Sequence, residues 1–373
     1  MAKKILICYA TAGIGHKKAA LAVEAAFKEL SPEGVEFSII DSLDYTNPFF
    51  KWIYLKVYLL MVNKFPLLWG LLYYLTDNFY VNLIVAPMRR FNNWLNSGKL
   101  SKFLIEMKPD VVISTHFFGS EVIADMKRRG AMGSRLVSIV TDYRLHSWWV
   151  SGFVDTYIVA GEDAVEDLLK WKTPQSKIAA LGIPAEPIFA KKLDKKNIRE
   201  KTGLPENTFT LLVIGGGFGV GPIEEIIEAV GGMSIQIIAV CGHNEELVRK
   251  LEGLKPSLKA GLKVLGYVDN VYEYMEVSDL LISKSGGITV TEALTKELPM
   301  VVISPIIGQE TRNCDFMTKH GAAIKVDKAS DARRVVEEMI ADPAKIGRMK
   351  DAIKKIKKPT ACYDIVRLAI GEH

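Results

Sequence analysis

Within residues 283–313 the chain passes twice from a short apolar strand, through a break, into the start of a helix. The first strand ends at Ser283 and breaks at Gly286-Gly287, with Thr289 and Glu292 in the opening turn of the helix that follows. The second, Met300-Val301-Val302-Ile303, stops at Pro305 and opens into Gly308-Gln309-Glu310. Two strand ends and two helix starts place backbone N–H groups, a carboxylate and an amide around one crevice. Open α/β sheets bind ligands at the carboxyl ends of their strands, and the N-terminus is the anion-binding end of a helix. The expected occupant is a nucleoside diphosphate carrying a sugar.

A crevice of this kind needs parallel strands on either side, and the pattern supplies them. Residues 4–9 form an apolar run without alternation, as a strand buried on both faces does. A glycine turn (Gly13, Gly15), an alanine-rich helix over 17–30 and a strand at 35–40 follow. Further strands are expected at 110–114, 135–140, 156–159 and 177–181, with helices at 119–129 and 162–170. Residues 185–205 are proline-punctuated, then charged, and read as a linker. A second series begins with a strand at 209–214, the glycine loop 215–221 and a helix. Strands at 235–240, 263–265 and 279–283 lead into the crevice stretch, and polar helix at 327–357 precedes a last helix at 361–370. With 373 residues the chain is long enough for two domains. Their expected extents are 1–184 and 206–358, with 359–373 packing back on the first.

Bulk chemistry narrows the class. At 49% hydrophobic and 24% charged residues the chain is globular. A net charge of +5 is too mild for a dedicated nucleic-acid binder, so no nucleic acid is expected, although clustered cations would suit anionic lipid. Cys8, Cys241, Cys314 and Cys362 make no C-x-x-C pair, so neither a zinc site nor a disulfide framework is expected. The opening MAKKILICYA reads as a first strand rather than a signal peptide, and the cell interior is the expected compartment.

Two nucleotide fingerprints fail. After Gly13 and Gly15, Lys18 stands where the dinucleotide motif needs its third glycine, although Asp41 ends the second strand near the usual ribose position. In the loop 215–221, Pro222 stands where a Walker loop requires lysine. That loop is either a tight turn or a diphosphate cradle, since glycines let the backbone approach a phosphate. Thr289 to Glu292 matches a capping box; alternatively Glu292 accepts two ribose hydroxyls. Gln309 and Glu310, just beyond a strand end, suit sugar hydroxyls or are ordinary helix-start polarity. His16 lies at the start of a helix, where the dipole disfavours the charged ring and leaves a neutral base. Asp142 and His146 follow another strand end; they assist His16, position an acceptor, or cap a turn. No H-E-x-x-H or DxD-type cluster calls for a metal, and no G-x-S-x-G elbow is present.

Residues 48–103 interrupt the alternation. Aromatic residues from Phe49, Trp52 and Phe65 to Trp69, Phe91 and Trp94 are interleaved with Lys51, Lys56, Lys64, Arg89, Arg90, Lys99 and Lys102. The most apolar run, 65–76, is too short to cross a bilayer. The stretch is either a set of packed helices or a set of interfacial helices dipping into a membrane surface.

Three motifs together resemble one family: Gly13-Ile14-Gly15-His16-Lys17-Lys18-Ala19-Ala20; Thr141-Asp142 with His146 and Trp149; and Ser285-Gly286-Gly287 through Glu292 to Gly308-Gln309-Glu310 with Asn313. The chain resembles the monogalactosyldiacylglycerol synthases and processive diacylglycerol glucosyltransferases, relatives of the lipid-linked N-acetylglucosaminyltransferase of bacterial cell-wall synthesis. One departure is Lys284-Ser285, where members often carry Pro or Ala-Gly-Pro. The resemblance implies an α/β fold of the GT-B type, two Rossmann-like domains facing a central cleft. It implies an inverting hexosyltransferase, galactosyl or glucosyl, that needs no metal in the chemical step and no cofactor beyond its UDP-sugar substrate. By position His16 is the implied general base, with Asp142 in the catalytic set. Gly216, Gly217, Val268, Ser285, Gly286, Gly287, Thr289, Glu292, Gln309, Glu310 and Asn313 are the implied donor residues. Trp52, Phe65, Trp69, Arg89, Arg90, His146 and Trp149 are expected to serve the acceptor and the membrane. The implied partners are a UDP-hexose, a diacylglycerol-type lipid and an anionic membrane surface, met from the cytoplasm at the inner face of the cell membrane. A UDP-sugar hydrolysing epimerase and a non-catalytic UDP-sugar-binding protein are the alternatives at this level.

Overall fold

A computed structural model of the chain describes residues 2–11, 13–216, 219 and 221–372. They form two compact units. The first comprises Met1–Pro187, Ile307–Gln309 and Lys358–His373; the second comprises Ile188–Ile306 and Glu310–Lys357.

The first unit is built on a six-stranded sheet: β1 (Lys3–Tyr9), β2 (Val35–Asp41), β3 (Val111–Ser114), β4 (Arg135–Ile139), β5 (Thr156–Ile158) and β6 (Ile178–Ala179). Its order is β2-β1-β3-β4-β5-β6, and every pairing is parallel. The order reverses direction between β1 and β3, which pair in the register Ile5↔Val111 and Ile7↔Ile113. This is the switch point at which open sheets bind their ligands. Ile5, Leu6, Ile7, Val112 and Ile113 have no measurable exposure, as expected of strands covered by helices on both faces. One covering layer joins the helix Ile14–Leu30 to Ala361–Ile370 at the chain's end, where Ala20, Val23, Phe27, Cys362, Ile365 and Val366 share one apolar core. Lys3 Nζ donates to Ile370 O at 3.0 Å, and Arg135 Nη1 to Leu368 O at 3.1 Å.

Between β2 and β3 stand the helices Pro48–Lys64, Pro66–Thr76, Phe79–Asn96 and Gly98–Met107. Proline opens the first two, where its missing N–H and fixed φ fit helix position N1. Asn47 and Asn78 cap the first and third, accepting from Phe49 N at 2.9 Å and Tyr80 N at 3.0 Å. Among the described residues no single helix is long and apolar enough to cross a membrane; the first two of these would pass together, but they are bent by 111° at their break. The third is tied down by a desolvated ion pair. Arg89 Nε and Nη2 reach Glu121 Oε2 and Oε1, each at 2.9 Å, and Asn93 Nδ2 donates to Glu121 Oε2 at 2.7 Å. Arg89 is therefore a half-buried tether paired to Glu121.

The second unit repeats the architecture with β7 (Thr210–Ile214), β8 (Gln236–Val240), β9 (Gly261–Leu265), β10 (Leu280–Ser283), β11 (Met300–Ile303) and β12 (Ala323–Val326), ordered β12-β11-β10-β7-β8-β9, all parallel. The sequence pattern did not reveal β12, an edge strand with only its two end residues buried. Its switch point lies between β7 and β10, where Ser283 Oγ donates to Ile214 O at 2.9 Å. The segment read as a linker carries two short helices, Pro187–Ala190 and Lys195–Thr202, the second capped by Asp194.

Candidate functional site

Past β1 the backbone turns at Gly13, whose φ of 126° suits only glycine, and enters the helix that begins at Ile14. His16 is therefore in the first helical turn at the first unit's switch point. Its Nδ1 lies 2.8 Å from Thr115 O, just past β3, and 3.0 Å from Thr141 Oγ1, past β4. Thr115 Oγ1 donates back to His16 O at 2.8 Å. A carbonyl can only accept, so Nδ1 carries the proton and Nε2 is the basic nitrogen. Burial drives the ring from its ordinary 6.5 to about 4, against the opposing bond to Thr115. His16 is thus a neutral base with a fixed tautomer.

His116, which the sequence reading did not single out, packs edge-on against His16 with ring centroids 4.4 Å apart. Its Nδ1 accepts from Phe118 N at 3.0 Å and caps the helix Phe117–Arg128. Burial, and next the nearby His16, hold its pKa well below the ordinary value. The available signal was positional: a polar pair, Thr115-His116, directly follows an apolar strand.

His16, His116 and Asp142 line a cavity of about 570 Å³. The rest of its wall is largely aromatic and apolar, including Phe50, Tyr54, Tyr58, Trp69, Tyr73, Phe117, Trp148 and Trp149. Asp142 shares the cavity, while the partners of His16 Nδ1 are the two threonines. His146 also lines the wall, but both ring nitrogens are engaged. Nε2 donates to Tyr73 O at 2.9 Å, and Nδ1 accepts from Trp148 N at 3.2 Å. It anchors the helix Pro66–Thr76 and holds Trp148 in place. Trp149 is buried, 6.3 Å from the His16 ring. Of the other acceptor candidates, Trp69 and Arg89 line the cavity, Arg90 lines a separate small one beside Asn93 and Trp94, and Trp52 and Phe65 are exposed on the helices outside.

In the second unit the loops after β10 and β11 are laced together. Ser285 Oγ donates to Glu310 O at 2.6 Å, and Asn313 Nδ2 donates to Ser285 O at 3.0 Å. Ile306 N donates to Glu310 Oε2 at 2.7 Å. Burial raises the Glu310 pKa, opposed first by Lys284 and then by that N–H. The hydroxyl of Ser285 is thereby committed to shaping the loop. The helix Gly287–Thr295 has Gly286 as N-cap and no side-chain cap bond, so the capping box expected at Thr289 and Glu292 does not form. Glu292 lies one turn further in and is buried; Thr289 is half-buried. Gly216, with φ of 70°, opens the turn after β7. A Cβ at Gly219 would stand 2.1 Å from Cys241 O, so the loop must be glycine there to lie against the end of β8. Gly217 lies outside the described residues. Val268 is half-buried in the loop after β9. Gln309 belongs to the first unit, where its Nε2 donates to Tyr58 OH at 3.2 Å and it lines the cavity. Asp41 is occupied by Thr11 and by Leu43 N at 3.0 Å, and so serves the turn after β2. Among the described residues no group of three or more His, Cys, Asp or Glu is placed to hold a metal ion.

Residues 16–185 match the family model of monogalactosyldiacylglycerol (MGDG) synthase, and residues 210–361 match that of the glycosyltransferase family 28 C-terminal domain. The processive diacylglycerol beta-glucosyltransferase of Bacillus cereus strain B4264 is 31% identical, over 99% of this chain and 94% of its own. Among solved structures, MurG of Acinetobacter baumannii superposes with a TM-score of 0.65 at 14% identity, covering 99% of both chains. The UDP-GlcNAc 2-epimerase of Neisseria meningitidis, bound to UDP-GlcNAc, does so at 0.63 and 14%, covering 99% of this chain and 100% of that one. At such identity the likeness is one of fold: two Rossmann-like units of the GT-B type. By its full-length similarity to the B. cereus enzyme, the chain belongs to the family of monogalactosyldiacylglycerol synthases and processive diacylglycerol glucosyltransferases.

Proposed function

We propose that the protein is an inverting glycosyltransferase that moves a hexose, glucose by preference, from a UDP-sugar to the hydroxyl of diacylglycerol or of a glycosyl-diacylglycerol. The observation that carries this reading is a neutral histidine of fixed tautomer on the wall of an aromatic cavity. Such a wall suits a lipid hydroxyl and excludes the water that would otherwise hydrolyse the donor. His16 Nε2 takes the hydroxyl proton as the oxygen attacks the anomeric carbon from the side opposite UDP, giving a beta-glycolipid. Asp142, on the same wall, favours the charged ring that forms. The leaving diphosphate is held by the start of the helix Gly287–Thr295 and by the glycine turn at Gly216, whose N–H groups and dipole stabilise developing charge without a metal in the chemical step. Glu292 holds the ribose, Val268 flanks the uracil, and Gln309 and Glu310 meet the hexose.

The apolar helices between β2 and β3 place the enzyme on an anionic membrane surface from the cytoplasmic side. Leu67 and Tyr80 are 79% and 76% exposed there, and Lys56, Lys64 and Arg90 stand among such side chains. The epimerase alternative rests on likeness of fold alone. Glucose is preferred because the full-length relative is a glucosyltransferase by name.

The test is transfer from UDP-glucose or UDP-galactose to diacylglycerol in anionic liposomes, with products separated by the number of sugars added. Glucolipid is the expected product. Free hexose or an epimerised sugar, with no glycolipid, would overturn the reading.

A further inference from the structure

The helix Pro66–Thr76 carries a buried glycine at its centre, where alanine is the better helix former. A Cβ at Gly70 would stand 2.3 Å from Cγ2 of Ile307 and 3.1 Å from its Cβ. The helix is bare there, and Ile307 seats against its backbone. One turn on, the fit reverses. Gly308 lies against the Tyr73 ring, where a Cβ would stand 2.8 Å from Cγ, and its φ of 105° suits only glycine. Ile307–Gln309 pack with the first unit, to which this helix belongs. What the double fit holds in place is Gln309. Its Nε2 donates to Tyr58 OH at 3.2 Å, and Tyr58 stands edge-on to Trp69 of the same helix at 5.5 Å. The helix is fixed in turn by the loop after β4. His146 Nε2 donates to Tyr73 O at 2.9 Å, and Ser147 Oγ donates to Thr76 O at 2.8 Å. The amide is thus positioned from the first sheet outward, through one helix.

We infer that Gly70 and Tyr73 are positioning residues for the donor's sugar: by seating Ile307 and Gly308 they set how Gln309 meets the hexose, and so govern recognition of the hexose but not of the nucleotide. The inference rests on the donor reading above, in which Gln309 meets the hexose. A recognition side chain must be held within about 0.5 Å of its working position, and a displacement of about 1 Å costs up to about a hundredfold. A methyl group on residue 70 imposes a shift of that order, since carbon atoms pack no closer than about 3.5 Å. Ile307 cannot turn its branch aside cheaply, because a β-branched side chain is stiff at χ1. The backbone of the loop must yield instead, and Gln309 moves with it.

The experiment measures KM for UDP-glucose and the inhibition constant of UDP, with diacylglycerol in mixed micelles. It is run on the full chain and on Gly70→Ala, Ile307→Ala and the double variant. Both constants are independent of how much of the protein folds. Gly70→Ala should raise KM by about tenfold or more and leave inhibition by UDP unchanged. Ile307→Ala removes the Cγ2 that the new methyl would strike, so the double variant should return to the KM of Ile307→Ala alone. Ile307→Val keeps a branch methyl and should not rescue. If Gly70→Ala makes no product, titration with UDP decides: intact affinity supports the positioning role, and lost affinity overturns it. An unchanged KM in Gly70→Ala, an equal rise in both constants, or a double variant no better than Gly70→Ala overturns the role and leaves the donor reading standing. An unaltered chain that makes no glycolipid overturns the donor reading and the inference with it.

Discussion

His16 and Thr115 hold each other twice, ring Nδ1 to carbonyl and hydroxyl to carbonyl, each at 2.8 Å. They follow β1 and β3, which are neighbours in the sheet yet far apart in sequence. The clasp therefore spans the point where strand order reverses, and folding of the sheet itself sets the histidine's tautomer. Removing the ring removes the base and its contacts with Thr141 and His116, while the bond from Thr115 Oγ1 to the main chain stays. His16→Ala is expected to lose turnover by about 10²–10⁴-fold, with UDP affinity unchanged in titration calorimetry. Unimpaired turnover would remove His16 from the mechanism.

The same burial gives the enzyme an unusual acid limb. A base acts in its neutral form, and His16 is neutral down to about pH 4 rather than 6.5. Initial rates taken just after a pH jump should show kcat/KM level from pH 7 to 5 and falling only as pH approaches about 4. An acid limb centred near 6.5 in the intact chain would place the base elsewhere.

The fold was legible where burial was two-sided. β1 and β7 read as strands because every residue through their centres is apolar. β12 did not, because at the sheet's edge Ile324 and Lys325 need not be buried. His16 could be found because glycines and a helix start surround it in sequence. His116 carried only the weak signal of a polar residue past a strand end, because its importance comes from the adjacency of β1 and β3, a non-local pairing. The capping box at Thr289 failed for the same kind of reason. The local pattern matched, but Gly286, extended at φ −62° and ψ 136°, already begins the helix three residues earlier.

His116 carries a stability consequence with a definite sign. The folded ring stays neutral far below 6.5, whereas the unfolded ring protonates near 6.5, so the unfolded state binds the extra proton as pH falls. Stability contributed by this group is present above 6.5 and declines below it, by about 1.4 kcal/mol per pH unit once the unfolded ring is fully protonated. His116→Asn keeps an acceptor for Phe118 N but cannot titrate. Urea unfolding between pH 7 and 5 should show a shallower decline in that variant; parallel curves would mean that other groups set the slope.

Glu292 is buried without serving as a cap, so helix initiation does not account for it. Replacing it with Gln preserves shape and removes the charge that, in the proposed role, accepts two hydroxyl hydrogens. UDP affinity should fall by about tenfold, the loss of one to two charge-assisted hydrogen bonds, with little change in Tm. Intact UDP binding would assign Glu292 to packing of the second unit.

The exposed apolar faces between β2 and β3 make the membrane prediction quantitative. Leu67 and Leu71 lie on the helix Pro66–Thr76, and Tyr80 and Ile84 on Phe79–Asn96, all largely in solvent. Burying one such side chain contributes about 1.5–3 kcal/mol. Because these side chains are exposed in the folded protein, their replacement should leave stability nearly unchanged. Leu67→Ser with Leu71→Ser should therefore reduce partition into anionic vesicles by at least about tenfold, while UDP binding in solution persists. Added salt should weaken binding further by screening Lys56, Lys64 and Arg90. Flotation that is unaffected by both the double substitution and salt would show that these helices do not meet the bilayer.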